Sequence, residues 1–372
     1  MAALFFYGTL RDAALMRVVL GTDDVPLLEA VLPGYGVYWA EGQIFPTIEP
    51  QADAVATGVL LADLSPEQVA RLDFYEGGFG YDLREVQVTA ADATYSALVY
   101  FPRPGLWRRG APFDLAAWQA ECGPISRLAA VEALEYLGRF SAQELAWRMP
   151  MIRARAASRL AATGVPAKVR SDKGRDTVQE ISSDASHAGF FVTRVLELRH
   201  PTFNGGISDT LRREVFVATD AALVLPYDPV RDRVLMVEQF RLGPYGRGDP
   251  RPWMLEPVAG RVDPGESPEQ TAHRECMEEA GITLNGLEKI AGYYCTPGYS
   301  TEYFHSFIGL ADLPDDLPRL GGLESEAEDI RLHLLDFDAA MGLMDTSEAD
   351  NGPLILSLMW LSQNRERLRA AA

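Results

Sequence analysis

Two kinds of hydrophobic spacing alternate along the chain. Over residues 1–115, short apolar runs are punctuated by Gly and Pro: ALFFYG near the start, TGVLLADL at 57–64, VQVTA at 86–90 and YSALVYF at 95–101. Runs of this length bounded by turn formers predict strands. Ser65-Pro66-Glu67-Gln68 supplies an N-cap followed by Pro at the first helical position, which predicts one helix among them. Between 125 and 162 the pattern changes to a stretch rich in Ala, Leu, Glu and Arg with apolar residues at helical spacing. It predicts helix, broken near Met149-Pro150, because Pro removes a ladder hydrogen bond and clashes with the preceding turn.

Residues 163–188 are polar and poor in apolar side chains, the composition of a linker. Strand patterns return in FFVTRVLELRH, REVFVA, AALVLPY and VLMVEQF, the last two joined by the turn DPVRD. A helix over PEQTAHRECMEEA, the strands KIAGYYC, YFHSFIGL and IRLHLLD, and a final helix from Asn351-Gly352-Pro353 complete the series. The 372 residues exceed what one core usually serves. The expected organisation is a first domain over 1–124, a helical connector and polar linker over 125–188, and a second domain over 189–372.

Composition narrows the function. A hydrophobic share of 47% and a charged share of 23% fit a globular protein. The net charge of −19, from 34 basic and 53 acidic side chains, argues against a nucleic-acid partner, whose phosphates need a field of Lys and Arg. A small phosphorylated substrate stays open, since a bound metal inverts the local sign of a site. Cys122, Cys276 and Cys295 are odd in number and scattered, which predicts free thiols and a reducing, cytoplasmic setting. No basic, apolar export leader opens the sequence, and the longest apolar runs, such as Leu354–Leu361, are too short to span a bilayer.

The segment GRVDPGESPEQTAHRECMEEAGI, residues 260–282, concentrates the chemistry. Ser267, Pro268 and Gln270 predict a capping-box start, and Gly281 a left-handed C-terminal cap. Glu275, Glu278 and Glu279 share one helix face, where like charges cost roughly 0.2–0.5 kcal/mol per pair. They also lie in the last turns, where the helix dipole disfavours negative charge. A divalent cation would relieve both, and hard oxygen ligands select magnesium or manganese. Spacing alone is equally compatible with a solvated acidic face.

These residues match the Nudix box, Gx5Ex7REUxEExGU, at every fixed position: Gly260, Glu266, Arg274, Glu275, Glu278, Glu279 and Gly281, with Cys276 and Ile282 at its apolar positions. The resemblance implies an α/β/α sandwich. It implies that Glu275 and Glu279 hold the metal, with Glu278 a ligand or close to one, and that Arg274 and Glu266 form a buried pair orienting the helix. It extends over roughly 189–370 and looks specifically like bacterial ADP-ribose diphosphatases, through RHPTFNGGIS, LRREVF, LPYDPVRDRVLMVEQFR, PWMLEPVAGRVDPGES, TPGYSTE, ESEAEDIRLH and DNGPLILSLMWL. What it then implies is magnesium-dependent hydrolysis of ADP-ribose to AMP and ribose 5-phosphate. Arg213 and Arg241 would contact substrate, the Ala259 carbonyl and Glu328 would be further metal ligands, and Glu326 would be the base. Trp253 reads as packing, and His305 and His333 as strand residues without a catalytic part. Enzymes of this type resemble one another in forming swapped homodimers, a role that falls here on residues 189–216. Hydrolysis of another nucleoside diphosphate sugar, or binding of ADP-ribose without cleavage, are the alternatives.

At the other end, FFYGTLRD (5–12) and LDFYEGGFGYDLREVQV (72–88) resemble the gamma-glutamylcyclotransferase-like fold, over about residues 4–115. The first is a strand running into a Gly turn, which presents backbone N–H groups to an anion. The resemblance implies a β-barrel with helices, giving a mixed α+β and α/β chain. Tyr7, Gly8, Thr9 and Leu10 would form the anion-binding loop, Glu76 the general base, and Tyr81 a supporting residue. A ligand-binding module without activity is the alternative, since a retained fold need not retain its chemistry.

Overall fold

Long strands of alternating burial leave one apolar face each, and in the first part of the chain they hide it by curling into a barrel. The computed structural model describes residues 2–162, 164, 167–323 and 328–372. The chain divides into two compact units, Met1–Gly164 and Val165–Ala372.

The first unit contains β1 (Ala2–Phe6), α1 (Ala13–Leu20), β2 (Leu28–Ala40), β3 (Pro46–Leu64), α2 (Pro66–Glu76), β4 (Tyr81–Ala90), β5 (Ala93–Pro102), β6 (Arg109–Pro112), α3 (Leu115–Glu121), α4 (Gly123–Leu134) and α5 (Ala142–Ala161). The strand order β3-β1-β5-β4-β2 closes on itself because β2 also pairs with β3, and β6 hangs on β2. Closure leaves those five strands no open edge. Inside lie Phe5, Tyr7, Leu32, Ile48, Leu60, Val88, Val99 and Phe101. Leu4, Phe6, Leu61 and Tyr100 face a second core made with helix residues Leu15, Met16, Leu72, Trp118 and Ala130. Phe5 and Phe6, adjacent in sequence, thus serve opposite faces of one strand.

Two expectations change here. The stretch from 125 belongs to the first unit, since α4 supplies Ala130 to its core. The predicted break at Met149-Pro150 is absent: α5 runs continuously with Pro150 inside it. Burial of Leu145, Met151, Ile152, Ala154 and Ala156 outweighs the hydrogen bond that Pro forfeits, and the chain breaks instead between α4 and α5.

The second unit contains β7 (Gln179–Ala188), β8 (Val192–Arg199), β9 (Leu211–Val217), β10 (Asp220–Asp228), β11 (Arg233–Phe240), α6 (Leu242–Arg247), β12 (Trp253–Glu256), β13 (Val258–Arg261), α7 (Pro268–Ala280), β14 (Gly286–Tyr294), β15 (Tyr303–Leu310), β16 (Leu320–Gly321), β17 (Ile330–Asp336), α8 (Phe337–Thr346) and α9 (Gly352–Ala370). The main sheet runs β14-β15-β10-β11-β17-β16, with β12 on β11 and β13 on β10, and β10 and β15 are parallel. Its centre is covered on both sides, as an α/β/α sandwich requires. Val224, Leu235 and Val237 pack with Ala272, Cys276 and Ala280 of α7. Their neighbours Leu225, Val234 and Met236 pack with Leu354, Leu358 and Leu361 of α9.

Strands β7, β8 and β9 form a separate three-stranded sheet. Strand β7 lies inside the stretch expected to be a linker. Most of its side chains are exposed, so it is held by backbone pairing to β8 and leaves no hydrophobic period to read.

Within the first unit, Arg155 of α5 is only 5% exposed, and its Nε donates to Glu132 of α4 at 3.0 Å. Tyr136 Oη also donates to Glu132, at 3.0 Å. Removing one member of a buried pair strands the other, at a cost of about 3–5 kcal/mol. Arg155→Met is therefore expected to speed amide hydrogen exchange in α4 and α5 by about a hundredfold, taking about 1.4 kcal/mol per decade. Unchanged exchange there would contradict this account of how the helices are joined.

Candidate active sites

In the second unit the site is assembled by one loop and one helix. Strand β13 pairs antiparallel with β10, setting Leu223 opposite Ala259 and Ala222 opposite Gly260. The chain then turns into α7, whose N-terminus has the predicted capping box: Gln270 N donates to Ser267 Oγ at 3.2 Å, and Ser267 N to Gln270 Oε1 at 2.8 Å. Gly281 ends the helix in the left-handed conformation at φ 65°. Glycine at 260 leaves the Glu275 carboxylate its place, which a Cβ there would overlap.

Arg274 organises the acidic face. Its Nε donates to Glu266 Oε1 at 3.0 Å and its Nη2 to Glu266 Oε2 at 3.0 Å. Its Nη1 donates to Glu275 at 2.7 Å and to Glu278 at 2.9 Å, while Nη2 also reaches the Arg261 carbonyl at 3.2 Å. This is the Arg274–Glu266 pair expected from the sequence, partly exposed rather than buried, and extended by two further carboxylates. Glu279 is only 2% exposed, and its Oε2 accepts from the Ala259 amide at 3.3 Å. Burial first, then the charges of Glu275 and Glu328, push its pKa up to about 8. Glu275 is pushed up to about 7 by burial, with repulsion from Glu278 and Glu328 opposing the pull of Arg274.

Glu328 therefore sits close to both helix carboxylates. Its Oε2 accepts from the Leu323 amide at 3.1 Å. The segment leading to it starts against the end of α7: the Gly322 amide donates to the Glu279 carbonyl at 3.1 Å, and a Cβ on Gly321 would overlap that same carbonyl oxygen. Glu326 lies outside the described residues. Arg241 bonds Glu256 through Nε at 2.7 Å, and its charge acts on Glu279. Arg213 is placed elsewhere, exposed on β9 with Nη1 on the Arg212 carbonyl at 2.9 Å.

Among the described residues no three His, Cys, Asp or Glu side chains are gathered tightly enough to grip an ion as they stand, with Arg274 bonded between Glu275 and Glu278. The donor chemistry nonetheless fits a divalent cation. Glu275 and Glu279 are recessed carboxylates of raised proton affinity beside a third, Glu328, and hard oxygens with surplus negative charge are what such an ion takes. Bound divalent cations would favour the ionised form of these groups and neutralise a diphosphate beside them.

Three placements were not legible in the sequence. Trp253, expected to pack, is 56% exposed, and its ring meets Phe240 edge-on at 5.4 Å. Glu256, the partner of Arg241, carries no motif signal. His305 and His333 each have a carboxylate partner, Asp220 at 2.9 Å and Glu238 at 2.7 Å; those partners come from neighbouring strands far off in sequence.

In the first unit, Glu76 is the last residue of α2 and is half-buried. Burial pushes its pKa up to about 7. Burial first, with the Glu76 charge a lesser cause, also raises those of Tyr7, Tyr75, Tyr81 and Tyr100, so all four lie within electrostatic reach of Glu76. Tyr7 donates to the Tyr100 carbonyl at 2.9 Å, and Tyr100 to Asp73 at 2.7 Å. Gly8 and Thr9 enter a single 3-10 turn, and the Leu10 side chain is buried. Any ligand contact from Leu10 is therefore left to its backbone. Immediately after Glu76, a Cβ on Gly78 would overlap the Ala142 carbonyl at the start of α5.

The proton affinity of Glu76 sets a pH dependence. A folded value of about 7 lies above the ordinary carboxylate value of about 4.3, so the folded state holds the proton more tightly. The contribution of Glu76 to stability is therefore fullest below the unfolded value and is lost as pH rises through about 7. Carboxyl NMR titration is expected to place Glu76 near 7, and Glu76→Gln to gain stability relative to the natural chain between pH about 5 and 8. A midpoint in the ordinary range would remove the burial argument. In the second unit, Gly321→Ala is expected to displace the strand from the end of α7 and lower hydrolytic turnover more than it lowers the unfolding temperature. An unchanged turnover would show that this close approach does not position the site.

Comparison with known proteins places both halves. Residues 217–357 match the model of the NUDIX domain, and residues 4–120 that of gamma-glutamyl cyclotransferase, AIG2-like. An ADP-ribose pyrophosphatase of Escherichia coli is 35% identical over 196 residues, covering 53% of this chain and 93% of that protein. One of Haemophilus influenzae is 34% identical over 194 residues, covering 52% and 89%. A GDP-mannose pyrophosphatase of Pectobacterium atrosepticum is 33% identical over 155 residues, covering 42% and 78%. Nudix hydrolases generally use divalent metal ions. With its box folded as a capped loop and helix behind a buried carboxylate pair, the chain belongs to the Nudix hydrolases, and it carries an AIG2-like gamma-glutamyl cyclotransferase domain at its N-terminal end.

Proposed function

We propose that the second unit hydrolyses the pyrophosphate bond of ADP-ribose, with magnesium or manganese, to AMP and ribose 5-phosphate. The observation that carries this reading is the recessed pair Glu275 and Glu279, with Glu328 and Arg241 close enough for their charges to act on Glu279. The names of the relatives matched over most of their length agree with it. Glu275, Glu279, Glu278, Glu328 and the Ala259 carbonyl would hold the metal, which supplies charge neutralisation on the diphosphate and acidifies water. Arg241 and Arg213 would orient the phosphates by forked hydrogen bonds. Glu326 would take the proton from the attacking water. The water oxygen forms the new P–O bond as the bridging P–O bond breaks, and the oxygen released from the bridge ends in the second phosphate product.

Sequence 189–216 would complete the site of a second copy, making the enzyme a homodimer in the cytoplasm; this would also bring the exposed Arg213 to use. The GDP-mannose pyrophosphatase among the relatives favours a second reading, hydrolysis of another nucleoside diphosphate sugar.

For the first unit the reading is a gamma-glutamyl cyclotransferase. The neutral α-amine attacks the γ-carbonyl, the bond to the leaving amine breaks, and 5-oxoproline and a free amine result. Glu76, half-buried within electrostatic reach of four tyrosines, would accept the ammonium proton that frees the amine and return a proton to the departing amine. Binding of a gamma-glutamyl ligand without turnover is the alternative.

With ADP-ribose and magnesium, AMP release is expected, and Glu275→Gln is expected to lower kcat by about a hundredfold or more. Equal turnover by the variant would remove Glu275 from the mechanism. Faster turnover of GDP-mannose or ADP-glucose would replace ADP-ribose as the substrate. A single-copy mass in solution with full activity would exclude the shared site. No 5-oxoproline from a panel of gamma-glutamyl amines would leave the first unit a binding module.

A further inference from the structure

In the second unit, the polar stretch before β7 folds back on the turn that follows β8, and the two line an open cavity of about 500 Å³. Its ionisable lining residues, Lys173, Arg175 and His200, are all basic types, in a chain whose net charge is −19. Among the described residues neither Lys173 nor Arg175 forms an ion pair, although Asp172 and Asp176 flank them in sequence; neither Asp lines the cavity. Two of the lining hydroxyls are engaged locally, Thr177 donating to the Gly174 carbonyl at 2.7 Å and Thr202 to the Gly205 carbonyl at 2.6 Å. They hold the two walls in shape, and among the described residues no carboxylate neutralises either cation. Phe203 is 89% exposed, with Lys173 Nζ 4.9 Å from its ring centre. The volume lies in the range of about 300–1,000 Å³ usual for small-molecule sites.

We infer that this cavity binds a small phosphorylated ligand bearing an aromatic ring, its phosphate on Lys173 and Arg175 and its ring on Phe203. Lys and Arg side chains without carboxylate partners favour a phosphate by charge-assisted hydrogen bonds, and Phe203, with Lys173 over part of its ring, keeps enough exposed surface to take a base. The cavity shares no side chain with the carboxylate cluster of its own copy; His200 and Phe203 fall within 189–216, the stretch proposed above to complete a second copy's site, and this inference does not rest on that proposal.

Calorimetric titration of the full chain without divalent ions, using AMP and inorganic phosphate as probes, tests it. AMP is expected to bind, more weakly as salt rises from about 0.05 to 0.5 M. Affinity should fall about tenfold or more in the double variant Lys173→Ala, Arg175→Ala and recover in the charge-conserving variant Lys173→Arg, Arg175→Lys. Phe203→Leu should weaken AMP but leave phosphate unchanged, and phosphate should bind more weakly than AMP. Arg241→Ala, which alters the carboxylate site, should leave AMP binding intact. An AMP affinity untouched by the double alanine variant, or lost in Arg241→Ala instead, would overturn the inference. So would phosphate binding as tightly as AMP, since Phe203 would then contribute nothing.

Discussion

Keeping carboxylates together in a recessed place is the constraint on which the Nudix half depends. Glu275 and Glu279 lie one helical turn apart, and burial raises the proton affinity of both. Unrelieved, such a pair favours protonation or solvation over the fold. One relief is built in: Arg274 ties Glu266, Glu275 and Glu278 to a single guanidinium. Glu279 has no bond to it and, among the described residues, its carboxylate accepts a hydrogen bond from the Ala259 amide alone. That remaining imbalance makes the site receptive to a divalent cation, and through it to a diphosphate.

The same constraint explains the close backbone approaches around α7. Gly260 lets β13 pass against Glu275, and Gly321 lets β16 meet the Glu279 carbonyl. A larger residue at Gly321 would push β16 from that carbonyl, and one at Gly260 would push the Glu275 side chain out of its place. The Gly322 amide on the Glu279 carbonyl then holds β16 against the end of the helix. The first unit solves a related problem with one carboxylate. Burial raises the proton affinity of Glu76 to near neutrality, the range in which a carboxyl group serves best as an acid or base.

What could be read from the chain varied with how local the signal was. The Nudix box was legible in full, because its caps, its glycines and its charges act within one loop and one helix. The tyrosine and glycine turn at 7–10 and the LDFYEG segment were legible for the same reason. Strand β7 was not, since its side chains are mostly exposed and only pairing with β8 makes it a strand. Nor was the continuity of α5 through Pro150, which depends on burial of Leu145 and Ile152 against the rest of the first unit.

The sequence by itself determined the two domain families, the capped acidic helix and the supply of carboxylates, because these follow from residue type and spacing of a few positions. Tertiary structure alone decided which carboxylates are recessed, that Arg241 acts on Glu279 and bonds Glu256, that the helices from 125 to 161 belong to the first unit, and that a polar stretch closes a basic cavity. Each of those depends on segments distant in the chain meeting, and desolvation and Coulomb forces are set by that meeting rather than by the order of residues.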